Sequence, residues 1–267
     1  MVRLLKIEFR KLLKSRAFVI IGSLYAVVML WSLVGLGNFQ LTESVNGQAM
    51  TLNFGKMGVF DFPYIWHNTS YIGGLAKYML ALLVVFFVCN EFTYRTSRQN
   101  VIDGLHRNEF ILSKQLGILV LSLFTTMLIG IATLVLGLSK GAANDMDAII
   151  MGSPFLLAYF LEVLGYLTVA FFFSVVFKRT GVAIILLLLY SMVIEPLISY
   201  KLPPPIEDYL PLQSINGLIE FPFKRYFAGL IELEVQNSVD PIKAIFSALW
   251  TGAFFLGALV IFKKRDL

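Results

Sequence analysis

The chain has 267 residues, of which 58% are hydrophobic and 15% charged, with a formal net charge of +5. Soluble domains hold roughly 45–50% apolar residues, so this excess, with a mean hydropathy of +0.78, needs a non-aqueous home and excludes an ordinary soluble enzyme. A single cysteine, Cys89, excludes an intramolecular disulfide, and two histidines beside it argue against a structural zinc site.

Residues 1–16 carry six Lys or Arg against one acid, Glu8. Val2, Leu5, Phe9 and Leu12 recur at three- and four-residue spacing, which aligns them on one helical face. This is the pattern of an interfacial amphipathic helix lying in the headgroup layer, its cations toward anionic membrane lipids. The uncharged run that follows, 17–42, is too long for a signal-peptide core, so the segment is expected to be retained. A hydrocarbon core about 30 Å thick needs roughly 20 apolar residues at 1.5 Å each. On that measure, spans are predicted at about 17–36, 72–90, 115–139, 155–177, 180–199 and 244–262. Residues 37–70 read as an exposed loop returning to the interface at Tyr64 and Trp66, with Lys77 near the outer end of the second span. Segment 200–243, with Pro203-Pro204-Pro205, is too interrupted to span.

Orientation follows from the cations. One side receives residues 1–16, segment 91–114, Lys178-Arg179 and the C-terminal tail, and holds 15 of the 22 Lys and Arg. Lys and Arg stay on the cytoplasmic side, so both termini are expected there. The fold class predicted is an all-α integral membrane protein, one transmembrane domain over 1–267, with six transmembrane helices.

Segment 91–114 is the stretch richest in chemistry. Seven of its 24 residues are charged, between two runs that are almost purely apolar. A short helix over about 96–105 would offer about 15 Å of contact to a soluble partner. Arg98, Asp103 and Arg107 are suited to ion pairs, and Val101, Ile102 and Leu105 to an apolar anchor. Gly104 is suited to ending the helix. A solvated loop whose arginines only set topology is the other reading of the same residues.

Enzymatic motifs are missing. There is no G-x-x-x-x-G-K-[ST] phosphate loop, no H-E-x-x-H and no G-x-S-x-G. His67 and His106 are predicted on opposite sides of the membrane. The predicted spans hold two glutamates, Glu162 and Glu195, and a charged acid at the bilayer centre costs about 2.5–3.5 kcal/mol on insertion scales. Such residues face a bundle interior or a wet cavity, so each is a candidate either for a translocation path or for a hydrogen bond between helices. Pro196 predicts a kink just after Glu195.

The layout resembles the membrane (permease) subunit of type-2 ABC exporters. The resemblance covers the hydropathy pattern of the whole chain, and its most specific residues are Glu91, Arg95, Thr96, Arg98, Gln99, Asn100, Asp103, Gly104, Arg107, Phe110 and Lys114. It implies a cytoplasmic coupling helix between spans two and three. It also implies two copies of a separate P-loop ATPase, and a second permease as homodimer or heterodimer. No cofactor is then expected on this chain, ATP and Mg belonging to the ATPase, and no nucleic acid is a partner. Segment 200–243 would carry short re-entrant helices forming an outer gate; a folded loop without such a role is the alternative. The expected setting is the inner membrane of a bacterium. Two other functions fit the residues: a non-transporting scaffold recruiting a partner to segment 91–114, and an intramembrane enzyme using Glu162.

Overall fold

A computed structural model describes residues 15–36, 40–45, 48–53, 58–94, 96, 99, 102, 104, 106–141, 145–204, 206–227 and 235–264. The expected amphipathic segment lies outside these residues except for Ser15 and Arg16, as do Arg95, Arg98, Asn100 and Asp103.

Six helical stretches are long and apolar enough to cross a membrane. The first is α1 (Arg16–Gly35). The second joins α2 (Tyr64–Leu75) to α3 (Lys77–Thr93) through a break at Ala76, whose N–H bonds Gly73 O and Gly74 O. The third is α4 (Arg107–Lys140). The fourth joins α5 (Met146–Gly152) to α6 (Pro154–Phe177). The fifth comprises α7 (Thr180–Leu189), a π-helical turn at Tyr190–Ile194, and α8 (Glu195–Lys201). Among the described residues, a short 3-10 helix (Ile206–Tyr209) and two short α-helices, α9 (Pro211–Asn216) and α10 (Lys224–Phe227), come between it and α11 (Pro241–Lys264). Among the described residues, an antiparallel hairpin, β1 (Gln40–Val45) and β2 (Gln48–Asn53), is paired from Gln40–Asn53 to Val45–Gln48.

The bundle is built around α6. Its sequence is apolar around most of the circumference, with Glu162, Thr168 and Ser174 as exceptions, the pattern of a largely buried helix, and it contacts α2, α3, α4, α7, α9 and α11. Tyr159, Val163, Tyr166, Leu167 and Phe171 are fully buried. Proline in its first turn suits a helix start, where the missing N–H has no partner to lose. Lys178 ends it in the left-handed region (φ 57°), so the two-residue basic turn reverses the chain directly into α7.

Three stretches are peripheral. In α1, in 180–201 and in α11, only 17% of the most apolar window is buried, against 61% in 64–93 and in 146–177. Their outward faces carry apolar side chains such as Trp31, Ile185, Leu189 and Leu249.

Hydrogen bonds tie the helices where apolar packing cannot discriminate helix from lipid. Thr69 and Thr133 hydroxyls lie 2.7 Å apart, Tyr25 and Tyr159 hydroxyls 3.2 Å apart, and Gln115 Nε2 donates to Thr168 Oγ1 at 2.8 Å. Close approach in the same region depends on Gly73, where a Cβ would lie 2.8 Å from both Ile129 and Tyr159.

Two expectations change. Trp66 is buried beside Phe62 and Phe155 and is not an interfacial anchor. Lys77 is not at the rim of a span: the helix begins at Tyr64, and this lysine is 5% exposed inside the bundle. The apolar count over 72–90 missed this because 64–71 is polar in composition yet helical, with 65–70 buried and the Asn68 and Thr69 side chains bonding Val59 O and Ile65 O.

Candidate functional site

At the basic end of the bundle, segment 91–114 is closed at its base. Glu91, in the last turn of α3, and Lys114, in the second turn of α4, form an ion pair of 2.7 Å with side chains 9% and 1% exposed. Lys114 Nζ also lies 4.3 Å from the centre of the Phe87 ring and 5.3 Å from that of Phe110. Phe110 stacks on Phe262 of α11 with ring centres 5.1 Å apart, and Phe92 meets both rings. Arg107 Nη1 donates to Lys263 O at 2.9 Å, so the start of α4 is joined to the end of α11. Thr96 Oγ1 donates to Glu91 O at 3.2 Å. Thr96, Gln99 and Ile102 are helical, and Gly104 has φ 95°, a conformation that side chains other than glycine's resist. Glu109 accepts from the His106 N–H at 3.2 Å, capping α4.

At the opposite end the two intramembrane glutamates turn out to hold one element between them. Lys77 Nζ donates to Glu162 Oε1 at 2.5 Å and to Asn216 Oδ1 at 2.7 Å. The Tyr78 and Tyr166 rings flank the ammonium at 5.6 and 5.5 Å. Gly74 lets the carboxylate reach this position, since a Cβ there would lie 2.9 Å from Glu162 Oε1. Asn216 is the last residue of α9. Its first turn is held by Glu195, whose Oε1 accepts the N–H groups of Leu212 and, at 2.8 Å, Gln213. Thus α9 is strung from Glu195 on span five to the Lys77–Glu162 pair on spans two and four. Leu212, Ile215, Leu218 and Ile219 bury their side chains in the bundle core, so this part of segment 200–243 re-enters the bundle.

Pro196 explains the π turn beside Glu195. Proline has no N–H, and its ring crowds the carbonyl four residues back. The chain relaxes by widening one turn, and the Glu195 N–H bonds Tyr190 O. Such turns recur at functional positions.

Residues 2–267 match the family model of the ABC-2 family transporter proteins. The chain belongs to the ABC-2 transporter family. It is therefore a multi-pass permease, a membrane component of ABC transport. A comparison with curated proteins returned no match.

In this ABC-2 permease the structure brings Glu91, Thr96 and Arg107 into one braced base. Gln99, Ile102 and Gly104 are exposed beyond it. Glu162 and Glu195 are both buried, at 4% and 2% exposure, with different partners. Sequence reasoning missed Lys77 and Asn216 as partners of Glu162, and it did not pair Lys114 with Glu91. One signal was available for the first: a lysine and a glutamate, each interrupting an apolar stretch, are stabilised there by each other. Asn216 carried no signal, because its role depends on α9 entering the bundle. Cys89 is a packing group, its Sγ 3.8 Å from Ser174 O. His67 is buried, its Nε2 2.9 Å from Glu220 O and its ring stacked on Phe155. Among the described residues no three His, Cys, Asp or Glu side chains gather as metal ligands would.

The Glu195 clamp is testable. Glu195→Leu removes the acceptor of one buried and one half-buried N–H group, and a buried donor left unsatisfied costs about 1–3 kcal/mol. The expected result is local release of α9, read as faster maleimide labelling of Leu212→Cys in the Glu195→Leu background than with Glu195 intact. Equal labelling rates would show that the clamp does not hold the helix.

Proposed function

We propose that the chain is the permease half of an ATP-driven ABC exporter, forming part of the translocation path and driven by a separate P-loop ATPase. The observation that carries this reading, beyond family membership, is the braced base of segment 91–114. A connection that only sets topology has no need of a buried ion pair at its root. A lever does, because a push on a loose loop is lost in bending. Force applied near Gln99–Ile102 would pass through Glu91–Lys114 into spans two and three, and through Arg107 to the end of α11. The apolar Ile102 and Tyr94 side chains, each 74% exposed, supply contact area for a partner.

In this mechanism two ATPases close on ATP, with Mg in their own sites, and push the coupling segments of two permeases. The sparsely buried faces of α1, 180–201 and α11 leave apolar surface for a second permease as well as for lipid. At the other end, α9 acts as the outer gate, and the Glu195 and Lys77–Glu162 attachments tie it to spans two, four and five. The charge distribution supports both termini on the cytoplasmic side of a bacterial inner membrane.

The test is co-purification of the tagged full chain in mild detergents, with and without ATP. A stoichiometric P-loop ATPase is expected to accompany it. Arg98→Glu and Asp103→Arg are expected to lower its retention at least tenfold while the permease stays inserted and monodisperse. Absence of any ATPase across several detergents would sink the exporter reading. A partner bound to segment 91–114 but indifferent to ATP would favour a scaffold.

A further inference from the structure

We propose that the cavity between α2, α3, α6 and the re-entrant segment binds a zwitterionic head group that pairs a primary ammonium with an acid. The cavity measures about 390 Å³, and its charged lining consists of Lys77, Glu162, Glu220 and Lys224. That volume falls in the range of roughly 300–1,000 Å³ common to small-molecule sites. Glu162 sits about 12 Å from the start of α6, counting 1.5 Å per residue, so the floor of the cavity lies inside the fourth stretch that is long and apolar enough to cross a membrane.

Glu162 in the floor carries an acceptor without a partner. Glu162 Oε1 is taken by Lys77, whereas Oε2 is buried and has no hydrogen-bond partner, on a side chain 5% exposed. The Lys77 ammonium is engaged by Glu162, Asn216 and the faces of Tyr78 and Tyr166. What Oε2 lacks is an N–H donor, which a primary ammonium supplies and a trimethylammonium does not.

The mouth is the complement. Lys224 is 39% exposed and only 3.9 Å from Glu220, a loose pair that can turn to an incoming acid. Glu220 keeps Lys243 at 3.5 Å when Lys224 turns away. Among the four charged lining residues the positive and negative charges cancel. A lone cation or a lone anion would therefore bring an uncompensated charge into a poorly solvated space, which is costly. A zwitterion adds no net charge and satisfies both ends. Leu75 and Phe221, 56% and 45% exposed, flank the cavity and leave an apolar way out for an acyl chain. The head group can thus belong to a membrane lipid or to a free small molecule.

The experiment titrates the purified full chain, without ATP, with three lysolipids of one acyl chain and reads binding by native mass spectrometry. Lysophosphatidylethanolamine is expected to bind at least tenfold tighter than lysophosphatidylcholine, which has no N–H, and than anionic lysophosphatidylglycerol. Lys224→Gln, at a half-exposed position, is expected to weaken the ethanolamine lipid at least fivefold. The double variant Lys77→Gln/Glu162→Gln removes both buried charges together and is expected to erase the preference over choline. If that variant does not fold, the lipid series and Lys224→Gln decide alone. Displacement by glycerophosphoethanolamine assigns the site to the free head group, and failure to displace assigns it to the membrane lipid. Equal binding of all three lipids, no saturable binding, or a preference that survives the variants would overturn the proposal. Because the assay needs neither ATP nor an ATPase, its failure leaves the exporter reading standing, and loss of that reading leaves this result interpretable.

Discussion

Lys77→Met is expected to destabilise the chain by about 3–5 kcal/mol, the cost of removing one partner from a buried ion pair. The loss is large because Glu162 stays behind at 4% exposure with its countercharge gone. Asn216 cannot replace the ammonium: its amide would have to turn its NH₂ toward the carboxylate, and it brings no charge. Lys77→Met/Glu162→Met removes both charges and leaves apolar volume, and buried pairs replaced in this way are often neutral or gain stability. The double variant should therefore recover most of what the single variant loses. Unfolding of the four members of the cycle in detergent, followed by tryptophan fluorescence, gives the coupling directly. If Lys77→Met is no less stable than the double variant, the pair is not the anchor described above. The two outcomes also differ for α9, because both variants lose the Lys77–Asn216 bond and only the single variant leaves a bare carboxylate beside it.

The second large effect is expected at the opposite end. Lys114→Glu sets two carboxylates where an ion pair of 2.7 Å now sits, on side chains 9% and 1% exposed. Breaking the pair alone costs about 3–5 kcal/mol, and like charges in contact add to it. Folded yield after detergent extraction should fall sharply. The exchanged variant Glu91→Lys/Lys114→Glu restores opposite charges and should recover part of that yield, although Lys114 loses its place against Phe87 and Phe110. No recovery in the exchange would mean that the aromatic setting, and not the charge pair, holds the base together. Lys114→Gln breaks the pair without setting like charges together, and it is expected to lower folded yield less than Lys114→Glu does.

Much of the molecule was legible before any coordinates. Each long apolar run became a helix because the backbone in hydrocarbon has to satisfy its own hydrogen bonds. The run of cations at 178–179 marked a turn, and Lys178 adopts the left-handed conformation that makes it. At Pro196, where a kink is expected, the structure has a π turn over Tyr190–Ile194, ending two residues before the proline. Less legible was the start of the second span. Hydropathy counts the polar side chains of 64–71 as loop, whereas Asn68, Thr69 and Ser70 are buried with the helix.

The sequence by itself determined the class of environment and the number of helical stretches able to cross a membrane. These depend on composition over windows of about 20 residues, since transfer into a membrane sums over a whole helix. Only the tertiary structure decided which charges meet. Lys77 and Glu162 are 85 positions apart, Lys77 and Asn216 are 139 apart, and Glu195 reaches the α9 backbone 17 and 18 positions on. Nothing local to any of these residues encodes its partner. Each partner is set by the rotation of α3 and α8 about their own axes and by the depth to which α9 enters, and those are outcomes of packing around α6.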